Sequence, residues 1–151
     1  GTGMLFNMDG EVVGMISSSV WNDTGKNVVN AYGISDLKPI IELLINGKSV
    51  PYIGIYGTTV TEQLAEEHKM PSGIYVADVD PDSPAMAAGI QIGDIICEAS
   101  GEEIKDIAAY QNIVIGSSVG ETMEFVGKRL GSDGYVNIKF SVVTTEKEEV
   151  K

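Results

Sequence analysis

The segment at positions 83–96 reads SPAMAAGIQIGDII and carries several structural signals in a fixed order. Ser83 is a favoured helix N-cap, and Pro84 suits the first position of the helix that it would open. Gly89 suits the position after a helix end, where the backbone is often left-handed. Gly93-Asp94 is a turn signal ahead of two isoleucines. The segment therefore predicts a short helix, a turn and a strand.

Composition limits the classes of partner. The chain has 151 residues, 43% of them hydrophobic, and a formal net charge of −12 at pH 7. This charge repels nucleic-acid phosphates and anionic lipid head groups, so we expect neither nucleic-acid binding nor direct membrane contact. Cys97 is the only cysteine, which excludes an intrachain disulfide, and it is predicted to be a buried small hydrophobe.

The order of these signals resembles a PDZ domain of the bacterial HtrA/DegP type. The resemblance runs from about Tyr52 to Val143 and includes Gly73-Ile74-Tyr75-Val76 before the helix and Gly101 after the second strand. It implies a mostly β fold with short helices (α+β). The expected architecture is a PDZ-like, partly open β-barrel or sandwich with two to three helices.

The resemblance also implies a site. Tyr52-Ile53-Gly54-Ile55 resembles the family's carboxylate-binding loop. A backbone loop built around a glycine can point successive N–H groups at one external point, which forms an anion nest without any cationic side chain. The alternative interpretation of these four residues is an ordinary hydrophobic strand start. No cofactor is needed for such binding.

A groove for the ligand peptide is implied beside this loop. The groove residues implied by the resemblance are Tyr56, Gly57, Thr58, Ala109, Ile113 and Gly116. The family's register would point Ile107, Tyr110 and Val114 into the core, and Ile113 would form the apolar pocket with Ile53 and Ile55. A purely structural amphipathic helix is the alternative at each helical position.

The first third of the chain predicts a β-hairpin and a helix. Asp9-Gly10 lies between apolar runs, a pattern typical of hairpin turns. A polar loop over 17–26, which holds Trp21, a strand over 27–33 and a helix capped by Ser35 should follow. The apolar face of this helix consists of Leu37, Ile40, Ile41 and Leu44.

This first third resembles the segment that follows the catalytic serine in trypsin-like HtrA proteases. The resemblance lies in residues 5–15, LFNMDGEVVGM, and in residues 30–34, NAYGI. The family pattern at the nucleophile is Gly-Asn-Ser-Gly-Gly-Pro-Leu, and counting back from Leu5 places the serine on Gly1. We therefore expect no catalytic residue in this chain, and the family's histidine and aspartate would lie upstream of it.

These resemblances predict four segments. Residues 1–46 form the C-terminal part of a trypsin-like protease domain, 47–51 a linker, 52–144 a PDZ domain and 145–151 a charged tail. Within the PDZ-like part we expect a helix opened by the capping box of Thr59 and Glu62, a strand over 73–79, a helix within 104–115 and a closing hairpin of 122–128 with 135–144.

Two other patterns have simpler interpretations than a functional site. Asp78, Asp80 and Asp82 alternate like an EF-hand loop, but Ser83 and Gly89 occupy its required glycine and glutamate positions, so no metal site is predicted. His68, the sole histidine, is predicted to be a solvated residue near a helix end.

The sequence predicts a peptide-binding PDZ module of an HtrA-like, extracytoplasmic, quality-control serine endopeptidase. Its partners would be C-terminal or extended hydrophobic segments of unfolded proteins, and the parent would lie at the cell surface or be anchored to a membrane through its N-terminal region. Exposed apolar faces in the first third favour a homo-oligomer. The alternative is a regulatory or oligomerisation scaffold of a degenerate pseudoprotease.

Overall fold

The computed structural model of the protein describes residues 3–16 and 32–146. The chain divides into two compact units, Gly1–Lys48 and Ser49–Lys151. The polar loop with Trp21 and most of the strand expected over 27–33 lie outside the described residues. Within the described ranges, no helix is both long and apolar enough to cross a membrane.

The first unit contains a three-stranded sheet and one helix. Strands β1 (Gly3–Phe6), β2 (Val12–Ile16) and β3 (Tyr32–Gly33) pair antiparallel in that order, and helix α1 spans Ile34–Ile45. The predicted hairpin is confirmed, and its turn is closed by the Asn7 side chain, which accepts from the Asp9 and Glu11 amides at 3.0 and 2.9 Å.

The predicted start of α1 is wrong. Gly33 is the N-cap, and no side chain caps the helix. Ser35 lies inside the first turn because the chain passes from β3 into the helix without an intervening loop.

Apolar side chains of the first unit remain exposed. Phe6 on β1 is 59% exposed, and Leu44 on α1 is 60% exposed. Of the four residues predicted for the apolar helix face, Leu37 and Ile40 are half-buried, whereas Ile41 and Leu44 are exposed.

The second unit is built on antiparallel strands. They are β4 (Pro51–Tyr52), β5 (Ile55–Val60), β6 (Gly73–Val79), β7 (Ile95–Ala99), β8 (Glu102–Glu103), β9 (Thr122–Gly131), β10 (Gly134–Val143) and β11 (Thr145–Glu146). The main sheet has the order β10-β9-β7-β6-β5, β8 pairs with β7, and β11 pairs with β4. The predicted mostly β, PDZ-like architecture is confirmed, with open sheets. Among the described strands, β5 pairs only with β6, so its other edge is open.

Three helices accompany these strands: α2 (Glu62–His68), α3 (Pro84–Ala87) and α4 (Ile107–Gly116). The predicted cap of α3 is confirmed, because the Ser83 side chain accepts from the Met86 amide at 3.2 Å. The predicted cap of α2 is wrong: Thr61 is its N-cap. Thr59 still belongs to β5, and its hydroxyl accepts instead from the amide of Ile107 at 3.1 Å.

The core of the second unit is apolar, with one buried carboxylate among its described residues. Its centre includes Ile74, Val76, Ile96, Phe125 and Val142, all 1% exposed or less. Cys97 is half-buried, and burial raises the pKa of its thiol above the ordinary value.

The buried charge is that of Asp94, whose side chain is 1% exposed. Arg129 of β9 holds it with two bonds, Nε to Oδ1 at 2.6 Å and Nη2 to Oδ2 at 2.8 Å. Asp94 Oδ2 also accepts from the amide of Gln91 at 2.9 Å, and Arg129 Nη2 donates to the carbonyl of Gly89 at 3.0 Å. The pair therefore fixes the segment between α3 and β7 to β9, the strand next to β7 in the sheet.

We predict that Arg129→Met destabilises the protein, because it leaves the Asp94 carboxylate buried without its counter-charge. The expected loss in the free energy of unfolding is about 3 kcal/mol, the lower end for broken buried pairs, since a third of the Arg129 side chain is exposed. Urea unfolding measures it. Lys128→Met, which removes a solvent-exposed bond to Asn137, is the control and should cost less than about 1 kcal/mol. Equal losses for both variants would contradict this account.

Candidate functional site

The predicted carboxylate loop joins β4 to β5 and turns at Gly54, whose φ is +86°. Two of its carbonyls point into the domain. The carbonyl of Ile53 accepts from the Ala85 amide in α3, and that of Gly54 accepts from the Asp80 amide after β6, both at 2.9 Å. The loop is thus held to two separate elements through its acceptors.

The amides of the loop are left for another partner. Neither the N–H of Ile53 nor that of Gly54 donates to any acceptor within residues 3–16 and 32–146. Because Asp80 donates to Gly54, the pairing of Ile55 with Val79 is of the non-hydrogen-bonded type, and the N–H of Ile55 faces the open edge of β5. Successive N–H groups in such a turn form an anion-binding concavity.

Glycine is required at position 54 for two reasons. Its positive φ is a conformation that other residues rarely adopt. In addition, a Cβ atom there would lie 2.3 Å from the Cβ of Ser83 and 2.9 Å from the phenol oxygen of Tyr52. Any side chain would therefore push the loop away from α3.

A pair of tyrosines supports the loop from one side. The phenols of Tyr52 and Tyr56 both donate to Oδ2 of Asp80, the second at 2.8 Å. Burial and the neighbouring Asp80 carboxylate raise the pKa of Tyr52 well above its ordinary value, so the phenol stays protonated and remains a donor. No sequence signal indicates this role of Asp80, which in the sequence is only part of a rejected metal-binding pattern. The described ranges contain no group of three or more side chains suited to a metal ion.

A pocket of about 180 Å³ opens between the loop and α4. On the loop side it is lined by Pro51, Tyr52, Ile53, Gly54, Ile55 and Tyr56, and on the helix side by Tyr110, Gln111, Val114 and Ile115. None of these residues is charged. Tyr110 is 6% exposed, and burial raises the pKa of its phenol.

The core-facing residues predicted for α4 are confirmed: Tyr110 and Val114 are buried, and Ile107 packs against the core. Ile113 and Gly116, expected in the groove, border a separate depression with Glu102 and Met123, and Ala109 does not line the pocket beside the loop. Val114, expected only in the core, lines that pocket. The helix start sets the rotation of α4.

Two bonds fix that start. Asp106 is the N-cap and accepts from the Ala109 amide at 2.7 Å, while the hydroxyl of Thr59 in β5 accepts from the Ile107 amide. The second bond joins positions far apart in the chain and gives no local sequence signal.

The predicted strand residues lie along β5 as expected for an open edge. A Cβ atom on Gly57 would lie 2.5 Å from Cγ2 of Ile74, so the backbone here packs directly on the core. Tyr56 and Thr58 are exposed. The structure therefore brings together Tyr52, Ile53, Gly54 and Ile55 with the edge formed by Tyr56, Gly57 and Thr58.

Comparison with known proteins places the second unit in one family. A PDZ domain family model matches residues 75–129. The crystal structure of the HtrA3 PDZ domain bound to a phage-derived ligand, FGRWV, is 33% identical in sequence, covers 62% of this chain and 84% of its own, and superposes with a TM-score of 0.53. The HtrA-type protease AlgW with a decapeptide covers 93% of this chain and 44% of its own with a TM-score of 0.61, and at 20% identity it shows the fold alone.

Curated relatives match along most of the chain. A probable periplasmic DegP-like serine endoprotease of Halomonas elongata is 31% identical over 142 residues, 90% of this chain and 30% of the relative. The Do-like serine protease HtrA of Bacillus subtilis is 30% identical over 160 residues, 97% of this chain and 34% of the relative. The chain thus spans about a third of the length of these relatives. Together with the HtrA3 match, these similarities show that the chain belongs to the HtrA family and carries its PDZ domain.

Proposed function

We propose that the PDZ unit captures the free C-terminus of an extended apolar peptide. The observation that carries the proposal is the set of outward-facing amides of Ile53, Gly54 and Ile55 beside an uncharged pocket. A protein of net charge −12 attracts a carboxylate poorly through its overall field, but backbone N–H groups bind one locally. The HtrA3 relative, whose structure contains a peptide ligand ending in valine, supports the same mode.

The proposed peptide adds as a strand to the open edge of β5. It runs antiparallel to β5, with its carboxylate at the loop and its last side chain in the 180 Å³ pocket beside Val114 and Ile115. Main-chain bonds to Ile55 and Gly57 supply affinity that does not depend on sequence. The uncharged pocket then selects an apolar last residue.

We predict that a peptide with a free C-terminal valine binds much more tightly than the same peptide ending in a carboxamide. The carboxamide lacks the negative charge of the carboxylate, which strengthens the hydrogen bonds donated by the loop N–H groups by an amount on the order of 1.5 to 3 kcal/mol. Fluorescence anisotropy with labelled Phe-Gly-Arg-Trp-Val in both forms measures it. Equal dissociation constants would rule out the carboxylate nest.

A matched pair of glycine variants sharpens this experiment. Gly54→Ala should abolish the preference for the free acid, because the added Cβ collides with Ser83. Gly101 has the same φ, +86°, but no atom lies within 4 Å of an added Cβ, so Gly101→Ala carries the backbone strain alone and should keep the preference. Loss of the preference in both variants would show that backbone strain, rather than the loop, controls binding.

We further predict that the last peptide side chain contacts the residues of α4 that line the 180 Å³ pocket. Ile115→Ala should weaken binding of the valine-ending peptide about fivefold, since part of the apolar contact area is lost. Ile113→Ala, on the side of α4 that borders the other depression, should change the affinity less than twofold. Anisotropy titrations on both variants, with folding checked by circular dichroism, make the comparison. The reverse order would favour Ile113 as the pocket residue, as the sequence predicts.

For the parent protein we propose an extracytoplasmic serine endopeptidase in protein quality control, with residues 1–46 as the last part of its protease domain. The names of the relatives, periplasmic DegP-like endoprotease among them, support this. Exposed Phe6 and Leu44 in the first unit suit packing against a second copy, and so support a homo-oligomer. His68, the sole histidine, lines a hollow without any serine, so the 151-residue chain alone should not cleave casein.

Casein cleavage by the natural full-length protein, with light scattering on the same sample, tests this proposal. We expect cleavage by an oligomer. A protein that oligomerises but leaves casein intact would be the alternative, a pseudoprotease scaffold, and a monomer would exclude the assembly proposed from the exposed apolar residues.

A further inference from the structure

Another apolar hollow, of about 320 Å³, lies beside β5 and α2. We call it the α2 hollow. Its lining residues are Thr58, Thr59, Val60, Leu64, His68, Met70 and Tyr75. Of these residues, only Thr58 belongs to the site predicted from the sequence. Leu64 is 40% exposed, and α2 has no buried residue, so this helix contributes little to the core and presents an apolar side chain at the surface.

The side chains of β5 alternate between two faces of the sheet. Three residues belong to the face toward the core. Ile55 is buried, a Cβ atom added to Gly57 would collide with the core residue Ile74, and the hydroxyl of Thr59 accepts from the amide of Ile107 in α4. Tyr56 and Thr58 are exposed and belong to the opposite face. The irregularity in the pairing with β6 lies between Tyr56 and Gly57 and does not interrupt this alternation.

This alternation fixes where a bound peptide places its side chains. With its carboxylate on the loop, the last peptide residue lies opposite Ile55, and the fourth residue from the end lies opposite Thr58. Directly opposite residues of an antiparallel pair share a face, with Cβ atoms about 5 Å apart. The side chain of that fourth residue therefore projects beside Thr58, at the rim of the α2 hollow.

We propose that the α2 hollow binds an apolar side chain at the fourth residue from the C-terminus of the captured peptide, which makes it a specificity site beyond the C-terminal pocket. The inference rests on the proposed peptide capture. The chemistry of the walls selects the occupant: Leu64, Met70 and Tyr75 are apolar or aromatic, and no carboxylate lines the hollow. The acidic side chains of α2, at Glu62, Glu66 and Glu67, do not line it.

The test uses the full 151-residue chain and two labelled peptides, Phe-Leu-Arg-Trp-Val and Phe-Asn-Arg-Trp-Val. Leucine and asparagine are similar in size and differ in polarity, so the ratio of the two dissociation constants isolates apolar contact at the fourth position. We expect the leucine peptide to bind about five- to tenfold more tightly.

Variants on α2 locate the effect. Leu64→Ala should reduce the ratio to less than about twofold, and so should Met70→Ser, which changes the other side of the hollow. Gln63→Ala, on the same helix but outside the hollow, should leave the ratio unchanged. Because each ratio is measured within one protein, a general loss of stability does not mimic the result.

The outcomes separate this inference from the proposed function. Equal binding of the two peptides by the unaltered chain, with the free acid still preferred over the carboxamide, would overturn the α2 hollow alone. A ratio that survives both Leu64→Ala and Met70→Ser would also overturn it. If the acid and carboxamide forms bind equally, or neither binds, the proposed peptide capture fails and the inference falls with it.

Discussion

The close contact between Gly54 and Ser83 is the constraint on which the site depends. The left-handed backbone at Gly54 turns two carbonyls toward the protein, where the amides of Ala85 and Asp80 satisfy them. Beside the open edge of β5, the N–H groups of Ile53 and Gly54 have no acceptor among the described residues. In the proposed binding mode, these N–H groups form a concave set of donors, which requires no cationic side chain in a strongly acidic chain.

The elements around the loop hold this conformation in place. The amide of Ala85 fixes α3 to the loop, and the Asp94–Arg129 pair fixes the segment after α3 to β9. The Asp80 carboxylate in turn accepts hydrogen bonds from the phenols of Tyr52 and Tyr56. In the proposed binding mode, the donors are therefore arranged before any ligand arrives, which would lower the entropic cost of binding.

Local signals predicted much of the fold and part of the site. The cap at Ser83, the hairpin at Asp9-Gly10 and the strand over 73–79 each depend on neighbouring residues, and the structure has all three. The core face of α4 was predicted correctly, but the start of α2 was predicted wrongly. Thr59, expected to cap α2, instead bonds the distant Ile107 amide through its hydroxyl. Pairing across 48 positions is decided by tertiary packing, which local pattern does not report.

The backbone amide resonances of the loop test the central claim most directly. In a titration of the ¹⁵N-labelled chain with a valine-ending peptide, the proton shifts of Ile53, Gly54 and Ile55 should move downfield together, as expected for N–H groups that gain a charged acceptor. The carboxamide form of the peptide should not produce these shifts. Binding of the free acid with unchanged resonances at all three positions would contradict the account.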